Sequence, residues 1–172
     1  MTELQTLKEE CSKKEKIVEE LNGKLCQKII LRDLNILQAN DSSIISGSDK
    51  NKFFKDELII TVTSKGMLEI EDRRGSAFLW VFEIQHENGF RIYNAFELDK
   101  KIYTVQYLKE SEATDSILDK IREVISDFDN SISILKSDIS LDTWEYKYYD
   151  CHEEVTCNSL QEVFETVLKR AY

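Results

Sequence analysis

The chain contains no proline. At ordinary usage of about 5%, a chain of this size would carry about eight or nine. Their absence removes stiff polyproline spacers and PxxP ligands, and leaves helices and strands without ring-imposed breaks. Glycine is scarce too, with five residues at 23, 47, 66, 75 and 89. None falls in a phosphate-cradling spacing. No apolar run approaches the roughly 18 residues of a membrane span, and there is no signal-peptide pattern. The expectation is an intracellular, non-membrane protein with reduced thiols. Basic residues are in deficit, 23 Lys and Arg against 33 Asp and Glu, for a net charge of −10. That balance argues against direct nucleic-acid binding through a basic face. An acidic surface suits basic partners, such as histone-like tails.

Enough apolar residues remain for a core: 41% of 172 residues, the size of one domain or a domain with an extension. The first of them form a pattern. Leu4, Cys11, Val18 and Leu25 recur every seven residues. Leu7 and Leu21 follow the first and third by three, and Lys14 and Lys28 fill the two remaining places. This is a coiled-coil seam of about three heptads. It is narrower than the stripe of an ordinary core-facing helix. The seam predicts that residues 1–37 form a coiled-coil and docking helix, pairing with a second polypeptide as a homodimer or heterodimer. It begins almost at the first residue, as in a fragment of a longer rod. Lys14 and Lys28 disfavour a symmetric pair and suit a partner with acidic residues opposite. The alternative is a single amphipathic helix packed on its own domain. Beyond Leu25 the pattern thickens through Ile29, Ile30, Leu31, Leu34, Ile36 and Leu37. There the helix is expected to dock on a globular part.

Residues 38–56 are polar and small and predict a loop, with Ile44, Ile45, Phe53 and Phe54 as anchors or a short element. Residues 57–172 predict the globular domain. In it the apolar period falls to two, giving strands at 57–63, 67–71, 78–86, 90–98 and 102–108, an antiparallel meander of about five. Asn88-Gly89 is the strongest of its turn signals. Ile117, Leu118, Ile121, Val124, Ile125 and Phe128 predict an amphipathic helix, with Ser116 and Asp119 resembling a capping box. Residues 131–142 are ambiguous, and 143–149 alternate like an edge strand. Ser159 and Glu162 cap a last helix with Leu160, Phe164, Val167 and Leu168 on one side. The fold class is α+β: an N-terminal coiled-coil helix, then a meander packed against C-terminal helices on one face.

Few residues suggest chemistry. Cys151-His152-x4-Cys157 fits no common zinc spacing. Cys151 and His152 are strand neighbours, so their side chains diverge rather than form a nucleophile pair. Pairing of Cys157 with His86 has no pattern behind it. All four cysteines, Cys11, Cys26, Cys151 and Cys157, read as small apolar residues. Accordingly no catalytic residue, cofactor or metal is assigned; a small metal-binding regulator or enzyme using Cys151, His152 and Cys157 is the second reading. Trp144, Tyr146 and Tyr148 form either a peptide-binding face or an ordinary core strand. Arg73-Arg74 reads as a solvated turn.

A coiled coil leading into a small sheet backed by helices resembles the RWD-type domains of kinetochore and monopolin proteins. The likeness rests on the seam Leu4 to Leu25, the strands FLWVFEIQ and IYTVQYL, and the terminal SLQEVFETVLKRAY. It implies a non-enzymatic scaffold of the nucleus. Such a protein pairs through its coil and docks chromosome-segregation proteins with its globular head. An interaction adaptor of the same architecture outside chromosome biology is the further alternative.

Overall fold

The computed structural model describes residues 1–86, 105–137, 144–149 and 153–170. Among these are helices α1 (Glu3–Asn40), α2 (Asp115–Lys136) and α3 (Leu160–Leu168). The strands are β1 (Ile44–Ser46), β2 (Lys52–Lys55), β3 (Leu58–Val62), β4 (Leu68–Asp72), β5 (Phe78–His86), β6 (Trp144–Tyr149) and β7 (Glu154–Cys157). All seven form one antiparallel sheet in sequence order, and the fold is α+β as expected. The chain divides into two compact units, Met1–Asn22 with Arg91–Ile139, and Gly23–Phe90 with Ser140–Tyr172. The division cuts α1 near its middle.

In the first unit, Leu4, Leu7 and Cys11 share a buried cluster with Leu118, Ile121, Ile125 and Val105. Both helices contribute residues at the same three-then-four spacing, the arrangement of a coiled-coil seam. Glu3 pairs with Arg122, and Lys14 Nζ lies 2.6 Å from Asp129 Oδ1. The two pairs advance together along both helices, so α1 and α2 run parallel. Lys8 Nζ donates to the carbonyls of Gln106 (3.1 Å) and Leu108 (2.5 Å).

Within the one chain the seam packs as in the alternative reading, a helix against its own chain. Its first three positions face α2 of the same chain, and the acidic residue expected of a foreign partner opposite Lys14 is Asp129. Val18 is also buried, while Leu21 and Leu25 are half-buried. The reason is that α2 carries a heptad seam of its own, which sequence reasoning assigned to covering the sheet. The α2 cap is Thr114, whose Oγ1 accepts from Ile117 N at 3.3 Å, rather than Ser116. Residues 131–136, ambiguous in sequence, continue α2. Residues 105–106 form a helical turn, not the end of a strand at 102–108, and buried Val105 joins the seam. The expected strand at 90–98, the Asn88-Gly89 turn, Cys151 and His152 lie outside the described residues.

In the second unit, alternation sets the sheet. Leu58, Ile60 and Val62 of β3, Leu68 and Ile70 of β4, Trp80, Phe82 and Ile84 of β5, and Trp144, Tyr146 and Tyr148 of β6 are buried. Register places them on one face, with Ile60 opposite Ile70, Ile70 opposite Trp80 and Phe82 opposite Tyr148. The later part of α1 and α3 bury Ile29, Ile30, Leu34, Val163, Phe164 and Val167. Polar bonds tie both helices to the sheet: Tyr146 O–H to Asp33 Oδ2 (2.5 Å), Gln27 Nε2 to the Thr63 carbonyl (2.7 Å) and Arg74 to the Val167 carbonyl (3.0 Å).

Two expectations change here. The presumed loop 38–56 holds β1 and β2, with Ile44 and Phe53 buried; strands of three and four residues are too short for their period to be read. The presumed edge strand 143–149 is β6, interior between β5 and β7. The pairing of β5 with β6 spans the residues of the first unit, and no local pattern reports such a long-range partner.

The β3–β4 turn closes on Gly66, at φ +79°. A Cβ there would lie 2.4 Å from the Cys26 Cβ, and a Cβ on Gly23 2.4 Å from the Ser64 carbonyl oxygen. Both glycines are therefore required for α1 to approach the turn. Gly66→Ala is expected to lower stability by about 2 kcal/mol or more, from the left-handed backbone together with the contact with Cys26; urea unfolding checks this. At α3 the Ser159 side chain accepts from Glu162 N (3.2 Å) and Glu162 Oε2 from Asn158 N (2.5 Å). Ser159→Ala is expected to cost about 1 kcal/mol in the same assay.

Candidate functional site

A half-buried antiparallel strand is expected to alternate apolar-in and polar-out. On β1 to β5 the outward positions break that rule. Ile45 pairs with Phe54, Phe54 with Ile59, Ile59 with Glu71, and Glu71 with Leu79. These five residues form one row across five strands, on the face opposite the helices. Ile45 is 61% exposed, Phe54 38% and Leu79 51%, with Ile59 half-buried. Half-buried Val81 on β5 and Tyr149 (42% exposed) at the end of β6 share this face. Neighbouring strands lie about 4.8 Å apart, so a row over four gaps is about 19 Å long.

The charges on this face are more often negative: Glu69, Glu71, Glu83, Glu145 and Glu154 against Lys52, Arg73 and Lys147. Lys147 is paired with Glu154, and Glu71 Oε1 accepts from Arg73 Nε at 3.1 Å.

Among the described residues, clefts open on the helical face of the same unit. One, of about 460 Å³, is lined by Ile36, Leu37, Trp144 and Leu160 with Arg32 and Asp33. Ile36 is 57% exposed. Arg32 Nε and Nη2 both donate to Asp33 Oδ1 (3.1 and 2.9 Å), so the cation is already matched. The second cleft, of about 310 Å³, is lined by Leu37, Asp41, Lys55 and Phe164 among others. Lys55 Nζ lies 2.6 Å from Asp41 Oδ2, and this bond, with those from Ser43, holds the Asp41 carboxyl down to about 2. A depressed folded pKa stabilises above the unfolded carboxylate value of about 4 and is lost as pH falls toward the folded one. Stability is therefore expected to fall between about pH 4 and pH 2, and the Asp41→Asn variant to lack its share of that fall in acid titrations of unfolding.

The residues that sequence singled out are placed elsewhere. Trp144, Tyr146 and Tyr148 are all buried on the helix-covered face, with the Tyr148 ring 4.6 Å from that of Trp80. They are core, not an open peptide face, and Trp144 alone borders a cleft. Burial and the Asp33 carboxylate push the Tyr146 phenol upward. Cys11, Cys26 and Cys157 are free thiols and buried. Burial, helped by nearby glutamates, pushes Cys11 up to about 11 and, helped by Glu83, Cys26 up to about 12. Burial also raises Cys157, whose Sγ lies 3.6 Å from Thr166 Oγ1. These three stay protonated at neutral pH and are poor nucleophiles. Among the described residues no group of three or more His, Cys, Asp and Glu is placed to hold a metal ion, and no helix is long and apolar enough to cross a membrane.

Sequence reasoning named Ile45 and Phe54 only as anchors or a short element of a loop, and missed Ile59, Leu79 and Val81 as surface residues. Their signal was present: Leu58-Ile59-Ile60 and the FLWVF run at 78–82 are continuous apolar stretches, where a half-solvated strand should alternate.

No family model matches the chain, and no curated protein or solved structure matches it. The class defined by the fold is an α+β protein whose sheet is covered by helices on one face and carries an exposed apolar row on the other.

Proposed function

We propose that the protein is a non-catalytic interaction module that docks other proteins with its sheet-bearing unit. The observation that carries this reading is the row Ile45, Phe54, Ile59 and Leu79, apolar side chains exposed or half-buried on the sheet face opposite the helices. Grouped apolar side chains at the surface, rimmed by polar ones, mark interaction sites; here Ile45, Phe54 and Ile59 adjoin, and Glu71 separates them from Leu79. Leu4, Leu7 and Cys11 already pack against α2, so docking is assigned to the sheet rather than to a seam between two chains. The resemblance to RWD-type domains supports a role in kinetochore assembly or chromosome segregation; an adaptor in another process has the same physical basis. Cys157 is buried beside Thr166, which favours docking over the Cys/His metal reading.

The test is photo-crosslinking in the native cell from a benzoylphenylalanine at position 79, with position 133 on the exposed side of α2 as control. A discrete adduct from position 79, reduced by Phe54→Ser, is expected. Chromosome-segregation proteins in that adduct would support the narrower role, and other proteins the adaptor role. Adducts from neither position would overturn the docking reading.

A further inference from the structure

We infer that the occupant of the open sheet face is a partner segment in which aliphatic or aromatic residues are flanked by Lys and Arg. This rests on the docking reading above and adds the chemistry of the partner.

Two features of the face select the occupant. The first is the row itself. Ile45, Phe54, Ile59 and Leu79 are side chains without hydrogen-bonding groups, so what covers them gains by burying apolar surface of its own. At about 19 Å the row matches an amphipathic helix of about 13 residues, or an extended segment of about six. The second is the charge around the row. Glu71 stands within it, between Ile59 and Leu79. Glu69 is next to Glu71 on the outward side of β4. Further along the face lie Glu83 on β5, Glu145 on β6 and Glu154 on β7. Five glutamates thus face three cations, Lys52, Arg73 and Lys147; the last two are paired with Glu71 and Glu154, and the face keeps a negative excess at Glu69, Glu83 and Glu145 over Lys52. A segment with basic flanks meets complementary potential, which raises its association rate and excludes acidic competitors.

The same charges disfavour a second copy of this chain. Two copies stacked face to face would bring Glu69 and Glu71 of both into one interface, and each chain carries a net charge of −10. An acidic partner meets the same repulsion.

The experiment uses the full chain and a random library of displayed 16-residue peptides. Enriched peptides are expected to carry spaced Leu, Ile, Val or Phe with Lys or Arg between them. In fluorescence anisotropy, their affinity is expected to fall at least tenfold for the Phe54→Ser/Leu79→Ser variant and to weaken steeply with added salt. Glu69→Lys, a surface change that leaves the apolar row intact, is expected to weaken binding several-fold while the unfolding midpoint is retained. Enriched peptides that are acidic or uncharged, that bind the double variant as well as the native chain, or that ignore salt overturn the inference. So does failure to enrich any peptide. Self-association of the native chain that Phe54→Ser/Leu79→Ser abolishes would assign the face to a second copy and overturn it too. Peptides that bind elsewhere, unaffected by Phe54→Ser/Leu79→Ser but blocked by Ile36→Asp at the cleft, refute this surface while leaving the docking reading intact.

Discussion

Replacing Arg74 by Met is expected to destabilise the protein by about 3 kcal/mol, as breaking a buried ion pair does. The Asp72 side chain is fully buried at the end of β4, and its Oδ1 and Oδ2 accept from Arg74 Nε (3.1 Å) and Nη2 (3.0 Å). The same guanidinium donates to the carbonyls of Val167 and Leu168 (3.0 and 3.1 Å), the last of α3. It thus neutralises a carboxylate on the packed face and adds donors to the last carbonyls of the helix, of which Val167's also accepts from Arg170 N at 3.3 Å. Arg73-Arg74 reads as a solvated turn in sequence; Arg73 fits that description and Arg74 does not. A double-mutant cycle with Asp72→Leu separates the two roles. If desolvated Asp72 dominates, Asp72→Leu recovers much of the loss, because an apolar replacement of both partners is tolerated. If the helix carbonyls dominate, Arg74→Met costs the same in either background.

Ile121→Ala is expected to cost about 2–5 kcal/mol, the range for truncating a buried branched side chain. Ile121 is 2% exposed and sits with Leu4, Leu7 and Cys11 in the cluster of the first unit. Denaturant unfolding followed by circular dichroism measures the loss. A loss within about 0.5 kcal/mol, typical of surface substitutions, would mean that the residue faces solvent and that α1 has another partner.

The helices were legible because their signals are local. The helix itself, the buried Leu4, Leu7, Cys11 and Val18, the buried Ile29, Ile30 and Leu34 beyond them and the Ser159–Glu162 cap are all found in the structure. So are β3, β4 and β5, whose periods are long enough to count. What escaped was partnership. Nothing near Leu118, Ile121 and Ile125 says whether they cover a sheet or a helix more than a hundred residues away. Nothing near Trp144 says that its strand pairs with β5 across the intervening unit. The same blindness affected the site: an outward Leu79 and an inward Trp80 look alike in a run of apolar letters. The run FLWVF nevertheless held a usable hint, since a strand wet on one face has no need of apolar residues on both.

With the α1 seam closed within one chain, the sheet face offers an apolar surface for partners. The most direct measurement is the thermal unfolding midpoint over about a hundredfold range of protein concentration, because a seam shared between chains makes stability depend on concentration by mass action. A midpoint that stays constant is the predicted result. A midpoint that climbs with concentration, and ceases to do so when Leu7 is replaced by Asp, would contradict it.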